Sequence, residues 1–251
     1  MSARATPASH AALLESERLG ALPHGEEEMF VGYGVLGLPF ASGDLLAFRR
    51  FTATTIGPPF TSIWHRDPRG RWRFYLDVEP SRGCPRYFGA AIDEVVVTDI
   101  SLTWTGSHEL NLSAPAARLH WAMRLTASPA TRTLSALGAA LPERAWSRRS
   151  ALVAIGSAAG GALGAGRLAL QGLVPNGQRY RLAPRQVWLV GASAAVVGGR
   201  DLGRTGTHER QSRLGDLWLP NRGLFALGHG AFEPLDAARH DPRTGGRLLR
   251  V

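Results

Sequence analysis

Residues 60–77 read F-T-S-I-W-H-R-D-P-R-G-R-W-R-F-Y-L-D, and the turn at their centre decides which side chains share a face. Asp67-Pro68-Arg69-Gly70 places Asp first, Pro second to preset φ, and Gly last, the order that a type I turn closing on a left-handed glycine asks for. The expected structure is a β-hairpin with a three-residue loop and a glycine bulge. In that register Asp67 opposes Arg71, Trp64 opposes Phe74 and Ser62 opposes Leu76. Phe60, Trp64, Trp72, Phe74 and Leu76 then share one face, and Thr61, His65, Asp67, Arg71, Arg73 and Asp77 the other. A slip of one residue would set Trp64 against Arg73 and mix the two sets.

The same device recurs in residues 167–182, where Val174-Pro175-Asn176-Gly177 predicts a second bulged hairpin pairing Val174 with Gln178. Leu168, Leu170 and Val174 then face the same way as Tyr180 and Leu182, with Arg179 and Arg181 outside. Around these hairpins the chain reads as β-rich. Residues 45–55 and 186–199 read as strands, and 29–42, with Gly32, Gly34, Gly37 and Pro39, as a buried bent strand or covering loop. In 96–104, Val96, Ile100, Leu102 and Trp104 share a face, and in 118–126 Leu119, Trp121, Met123 and Leu125 do. Leu110 and Leu112 mark a short strand between them, and 217–232 the last one. Such period-two alternation marks a sheet with one buried side.

Helical signals are fewer. Ser9 to Gly20 reads as a short helix with Ser9 as cap and Leu13, Leu14 and Leu19 inward, followed by a solvated acidic run, Glu26-Glu27-Glu28. Ser128-Pro129 opens a helix with the stripe Leu134, Leu137 and Leu141. Residues 150–166 are uncharged and carry Gly156, Gly160 and Gly164 at four-residue spacing, a pattern for close helix packing. The run is shorter than the ~20 apolar residues of a membrane span, so a buried helix lying against a sheet is expected. The domain reading is an N-terminal helix and acidic linker at 1–28, a first β half at 29–127, and a helical insertion at 128–166. A second β half at 167–233, joined to the first, and a loose basic tail at 234–251 complete it.

The 251 residues contain no lysine, which excludes Schiff-base chemistry, a pyridoxal phosphate anchor and a Walker-type phosphate loop. Residues 1–125 carry 12 Arg against 13 acidic residues, and 126–251 carry 17 Arg against 7. That basic second half is either a solvated surface or a contact for an anionic partner. The single Cys84 excludes an intramolecular disulfide and a multi-cysteine zinc site, fits a reducing, cytoplasmic setting, and reads as structural. No signal peptide is expected, and no metal or cofactor.

Catalytic motifs are sparse. Gly156-Ser157-Ala158-Ala159-Gly160 has its serine out of place for a nucleophile elbow. His65 and Asp67, two residues apart on one strand face, are candidates to exchange a proton; a solvent-facing salt-bridge ladder with Arg71 and Arg73 explains the same face. His120, between Arg118 and Arg124, is a third acid–base candidate if its face lines a cavity. Trp64, Trp72, Phe74, Trp104 and Trp121 form either plain core or the wall of an apolar pocket. Asn176, Gln178, Asn221 and Arg222 sit in turns where they contact a ligand at a rim or complete the turns themselves.

With Gly70-Arg71-Trp72 and the β-rich layout of 43–232, the chain resembles lipocalin-like (calycin) proteins of the two-half carotenoid-hydratase type. That resemblance implies a barrel, or two packed sheets, that binds or transforms a hydrophobic small molecule. Thr98-Asp99-Ile100 through Trp104-Thr105-Gly106, with Leu110 and Leu112, resembles a strand–turn–strand of acetoacetate-decarboxylase-like barrels. Those enzymes need a catalytic lysine, so decarboxylation by that route is excluded. The expectation is a mainly β protein binding a hydrophobic small molecule, with a cofactor-free hydration or isomerisation as a further option. The alternatives are a basic module for nucleic acid or an anionic membrane surface, and a structural protein without a pocket.

Overall fold

The computed structural model describes residues 6–17, 22 and 25–250. It opens with helix α1 (Pro7–Glu17), followed by strands β1 (Glu28–Val35), β2 (Leu38–Pro39), β3 (Leu45–Thr54), β4 (Phe60–Arg66) and β5 (Trp72–Leu76). The short helix α2 (Pro85–Phe88) leads to β6 (Glu94–Val97), β7 (Ser101–Trp104), β8 (Glu109–Ala114) and β9 (Leu119–Thr126). Helices α3 (Pro129–Ala140) and α4 (Arg149–Leu163) come next, then β10 (Gln171–Leu173) and the long β11 (Arg179–Val197). The chain ends through β12 (Arg200–Asp201), β13 (Arg213–Leu214), β14 (Leu217–Trp218), β15 (Leu224–Phe232) and β16 (Arg247–Arg250).

The mainly β expectation holds, as one fourteen-stranded mixed sheet in the order β16-β6-β5-β4-β3-β1-β15-β11-β9-β8-β7, with β13 and β14 paired apart. It is neither the closed barrel nor the pair of antiparallel sheets anticipated. The edge strands β7 and β16 do not pair, and β6 runs parallel to both β5 and β16. The sheet nevertheless coils. Only Thr98, Asp99 and Ile100 separate β6 near one end from β7 at the other, a reach of at most ~14 Å. Residues 96–104, expected as one strand, are therefore two strands at opposite ends. Val96, Leu102 and Trp104 still share one apolar cluster, because the coil brings the ends together.

Both hairpins have the expected register. Gly70 donates to Asp67 O (2.9 Å) at φ 87°, and β4 pairs Trp64 with Phe74 and Ser62 with Leu76. Gly177 donates to Val174 O (2.8 Å) at φ 95°, and Val174 N–H bonds Gln178 O. What differs at the first hairpin is the second face. Ile63 and Tyr75 alternate with Trp64 and Phe74 and are equally buried, so layers cover both sides of β4 and β5.

On the inner face of the coil, Tyr33, Phe48, Ile63, Tyr75, Leu112, Trp121 and Phe225 make a packed core. α1 packs against it through Ala11 and Leu14, while Leu13 points to solvent at 54 % exposure; Leu19 and Gly20 lie outside the described residues. Thr6 rather than Ser9 caps this helix, the two exchanging side-chain-to-amide bonds ahead of Pro7. On the outer face, Phe30, Phe60, Trp64, Trp72, Phe74 and Leu76 pack beneath residues 84–92 and the β10–β11 hairpin. α3 begins as expected, with Ser128 and Thr131 forming a reciprocal cap. The glycine stripe of α4 faces the segment 166–168. A Cβ at Gly156 would lie 2.4 Å from Leu168 O, and one at Gly160 2.3 Å from Gly166 O.

Two polar segments are more ordered than their composition suggests. The acidic run is engaged: Glu27 pairs with Arg181, and Glu28 is buried. The C-terminal segment is not a loose tail, since Arg247–Arg250 adds a parallel strand beside β6.

Candidate functional site

A cavity of about 630 Å³ lies on the outer face of the sheet, between β1, β3, β15 and β11 on one side and α3 and α4 on the other. Its existence follows from small residues on both sides. Gly32, Gly34, Gly228 and Gly230 line its floor, with Gly32 directly opposite Gly228 and Phe30 opposite Gly230. Larger side chains are barred at the first two positions, since a Cβ at Gly32 or Gly34 would sit 2.0 Å from a carbonyl oxygen of β3. The roof carries Ala151, Ala154, Ala158 and Ala159 of α4, Leu134 and Leu137 of α3, and Leu141 just past the end of α3. Leu137 is 53 % exposed and marks the rim. Phe30, Phe51, Trp64, Tyr87, Phe88 and Phe232 form an aromatic side wall.

Few polar groups reach this space. Arg49, on the outer face of β3, donates from Nη1 to Val35 O (2.6 Å) and Phe48 O (2.9 Å), and from Nη2 to Leu36 O (3.2 Å). Its guanidinium lies 4.7 Å from the Trp64 ring centre. Burial pulls Arg49 down to about 10, so it remains cationic at neutral pH. The residue is half-buried by surface area and lines the cavity. Burial pushes the neighbouring Cys84 thiol up to about 11, leaving it neutral. At another edge His229 Nε2 lies 2.9 Å from Glu143 Oε1; burial lowers its pKa, and Glu143 also pairs with Arg185.

A latch of polar groups holds the aromatic wall. Glu28 accepts from Arg86 Nη2 (2.5 Å), Tyr87 Oη (2.5 Å) and Gln178 Nε2 (3.3 Å). Asn176 Nδ2 donates to Arg86 O (2.8 Å) and Gln178 Oε1 (2.6 Å), and Gln178 Nε2 also to Glu233 O (2.5 Å). Tyr87, held this way, stacks on Phe232 with ring centres 4.0 Å apart.

The residues singled out from the sequence fall in separate places. His65 does not pair with Asp67. It faces inward after Ile63, and its Nε2 lies 2.8 Å from Oδ1 of the fully buried Asp44, which Arg200 and Ser42 also bind. Asp67 instead accepts from the amides of Arg69 and Arg71 and from Arg71 Nε, so it organises the turn. His120 is exposed on β9, apart from both. Of the five aromatic residues, Trp64 lines the cavity. Trp72 and Phe74 pack beside it, Phe74 stacked on Trp64 at 4.4 Å, while Trp104 and Trp121 belong to the inner core. Alternation within one strand fixes its two faces but not which face matches that of a distant strand. Asn176 and Gln178 belong to the latch, and Arg222 donates to Leu163 O at the end of α4. Several arginines of the second half are engaged in ion pairs, among them Arg181, Arg185, Arg200 and Arg250. The floor glycines, the roof alanines and Arg49 escaped the sequence reading. The available signal was two Gly-x-Gly steps, at 32–34 and 228–230, in strands otherwise bulky.

No protein-family model and no curated protein matches the chain. Among solved structures it is similar to acetoacetate decarboxylase from Legionella pneumophila, at 9% identity over 84% of this chain and 86% of that one, with a TM-score of 0.40. A likeness at that level transfers neither fold nor activity. Among the described residues no helix is long and apolar enough to cross a membrane.

Proposed function

We infer that the protein binds a hydrophobic small molecule in the cavity between the outer face of the sheet and helices α3 and α4. One observation carries this reading: a space of about 630 Å³, walled by glycine backbone, alanines, leucines and aromatic rings. That volume lies within the ~300–1,000 Å³ of small-molecule sites, and its few polar groups suit an apolar ligand. The reading is one of binding. His65, Asp67 and His120 lie off the cavity wall, and His229 is engaged with Glu143.

The test is titration with 1-dodecanol, followed by calorimetry and by quenching of tryptophan fluorescence, in the wild type and in Ala158→Trp. Ala158 projects from the roof helix, so a large ring there fills space without entering the core. The expected result is saturable binding that weakens by about tenfold or more in Ala158→Trp, ~1.4 kcal/mol or above, with the melting temperature unchanged. Absence of saturable binding by the wild type, or equal binding by the filled variant, would overturn the reading.

A further inference from the structure

The geometry points to an apolar monocarboxylate as the ligand of this cavity, its headgroup paired with Arg49 and its chain lying over the glycine floor. This rests on the cavity being a binding site and adds the chemistry of the headgroup.

Arg49 is the one cation that borders Trp64 within the apolar wall, and no carboxylate pairs with it among the described residues. Three of the five N–H groups of its guanidinium are taken, two on Nη1 and one on Nη2, all by backbone carbonyls of Val35, Phe48 and Leu36. Carbonyl dipoles hold a guanidinium in place without neutralising it. Nε and one Nη2 hydrogen find no protein acceptor among the described residues. Other arginines of this chain grip carboxylates with either edge of the guanidinium, Arg181 and Arg250 by Nη1 and Nη2, others by the Nε and Nη2 donors that Arg49 leaves open. Arg50 holds Glu15 by Nε at 2.9 Å and Nη2 at 3.0 Å, and Arg86 holds Glu28 by Nε at 3.1 Å and Nη2 at 2.5 Å. Arg49 keeps the same kind of donors for something the protein does not supply.

A half-buried cation among apolar walls without a counter-charge is poorly solvated, and an incoming carboxylate relieves that cost with charge-assisted bonds. The stoichiometry of charge narrows the class. One guanidinium balances one negative charge, whereas a dianionic phosphate would bring a second into walls of Phe, Leu and Ala. Cys84, a titratable neighbour, stays neutral and adds no competing charge. The aliphatic chain then has the floor of Gly32 and Gly228 beneath it and the alanines of α4 above.

The experiment compares dodecanoate, 1-dodecanol and dodecyl phosphate on the full chain at neutral pH, in the wild type, Arg49→Met and Arg49→Lys. Two charge-assisted hydrogen bonds predict dodecanoate binding about tenfold to a hundredfold tighter than dodecanol in the wild type. Arg49→Met should abolish that preference, bringing dodecanoate and dodecanol to comparable affinity in the same variant, and Arg49→Lys should retain only part of it. Equal affinities for dodecanoate and dodecanol in the wild type would overturn the carboxylate assignment and leave apolar binding intact. Preference for dodecyl phosphate would overturn it too, in favour of a dianion. If none of the three binds saturably, the cavity reading falls and this inference with it. The wild-type comparison is decisive even if a variant at Arg49 fails to fold.

Discussion

Glu28→Ala is the most severe single truncation that the polar latch allows. Glu28 binds Arg86, Tyr87 and Gln178, and it accepts weakly from Leu235 N–H. Arg86 is partly exposed and recovers hydration when the carboxylate is removed. Tyr87 and Gln178 are buried and do not. The Tyr87 hydroxyl is orphaned at ~1–3 kcal/mol, Gln178 keeps Glu233 O and loses only its longer bond, and with the Arg86 pair the total reaches the ~3–5 kcal/mol typical of breaking a buried ion pair by deleting one partner. At about 2–4 °C per kcal/mol for a chain of this size, the melting temperature should fall by roughly 6–20 °C, measured by scanning calorimetry. The pH dependence provides an internal control. Burial pushes the Glu28 carboxyl up, but hydrogen bonds from Arg86 and Tyr87 and the Arg86 charge outweigh it and leave the pKa below its usual value. A depressed folded pKa contributes stability above the unfolded value, ~4.3, and loses it as pH falls through the folded one. The gap between wild type and Glu28→Gln should therefore be widest near neutrality and close in acid. A loss under about 1 kcal/mol in Glu28→Ala, or a gap that widens in acid, would refute the latch as drawn.

Three further outcomes follow from the fold. Gly70→Ala and Gly177→Ala should each cost about 1–2 kcal/mol in urea denaturation, because both turns hold the glycine at positive φ; a neutral substitution would mean that the turn is not the bulged one. His65→Ala should destabilise by about 1–3 kcal/mol by removing one of the three side chains that bind the buried Asp44, yet leave dodecanol affinity unchanged, since His65 faces the inner core; lost affinity in a folded variant would place it at the ligand. Cys84 should react with a thiol reagent at pH 8 about a hundredfold or more slower in the native protein than in urea, from its pKa of about 11 and its burial; comparable rates would show an open path to the sulfur.

The parts legible in the sequence were those where local chemistry leaves one solution. Pro-x-Gly turns impose a register on both hairpins, and β9 alternates cleanly because only one of its faces is covered. The hairpin at 60–77 read less well beyond its register. With both faces buried, His65 and Tyr75 carry no signature that separates them from surface residues. The split of 96–104 was invisible because the coiled sheet places β6 and β7 against the same inner cluster, which preserves the alternation across the break. Glu28 looked like its neighbour Glu26, since its partners lie 58 to 207 residues away. The cavity was hardest of all. Glycine and alanine contribute by lacking side chains, so periodicity analysis passes over them, and Arg49 differs from other arginines only in what it does not touch.

The place of β15 in the sheet has a consequence for how the chain acquires its structure. β1 and β9, both made early, are joined laterally only through β15 and β11, both made late. Until residue 232 has emerged, the strands of the first half exist as two ribbons, β6-β5-β4-β3-β1 and β9-β8-β7, with no shared hydrogen bonds in the middle. Pairings this distant in sequence close slowly, and the waiting edges of β1 and β9 are open to the wrong partner meanwhile. A fragment ending before β11 should therefore aggregate rather than fold, and refolding of the full chain should be limited by insertion of the β11–β15 pair between the two ribbons.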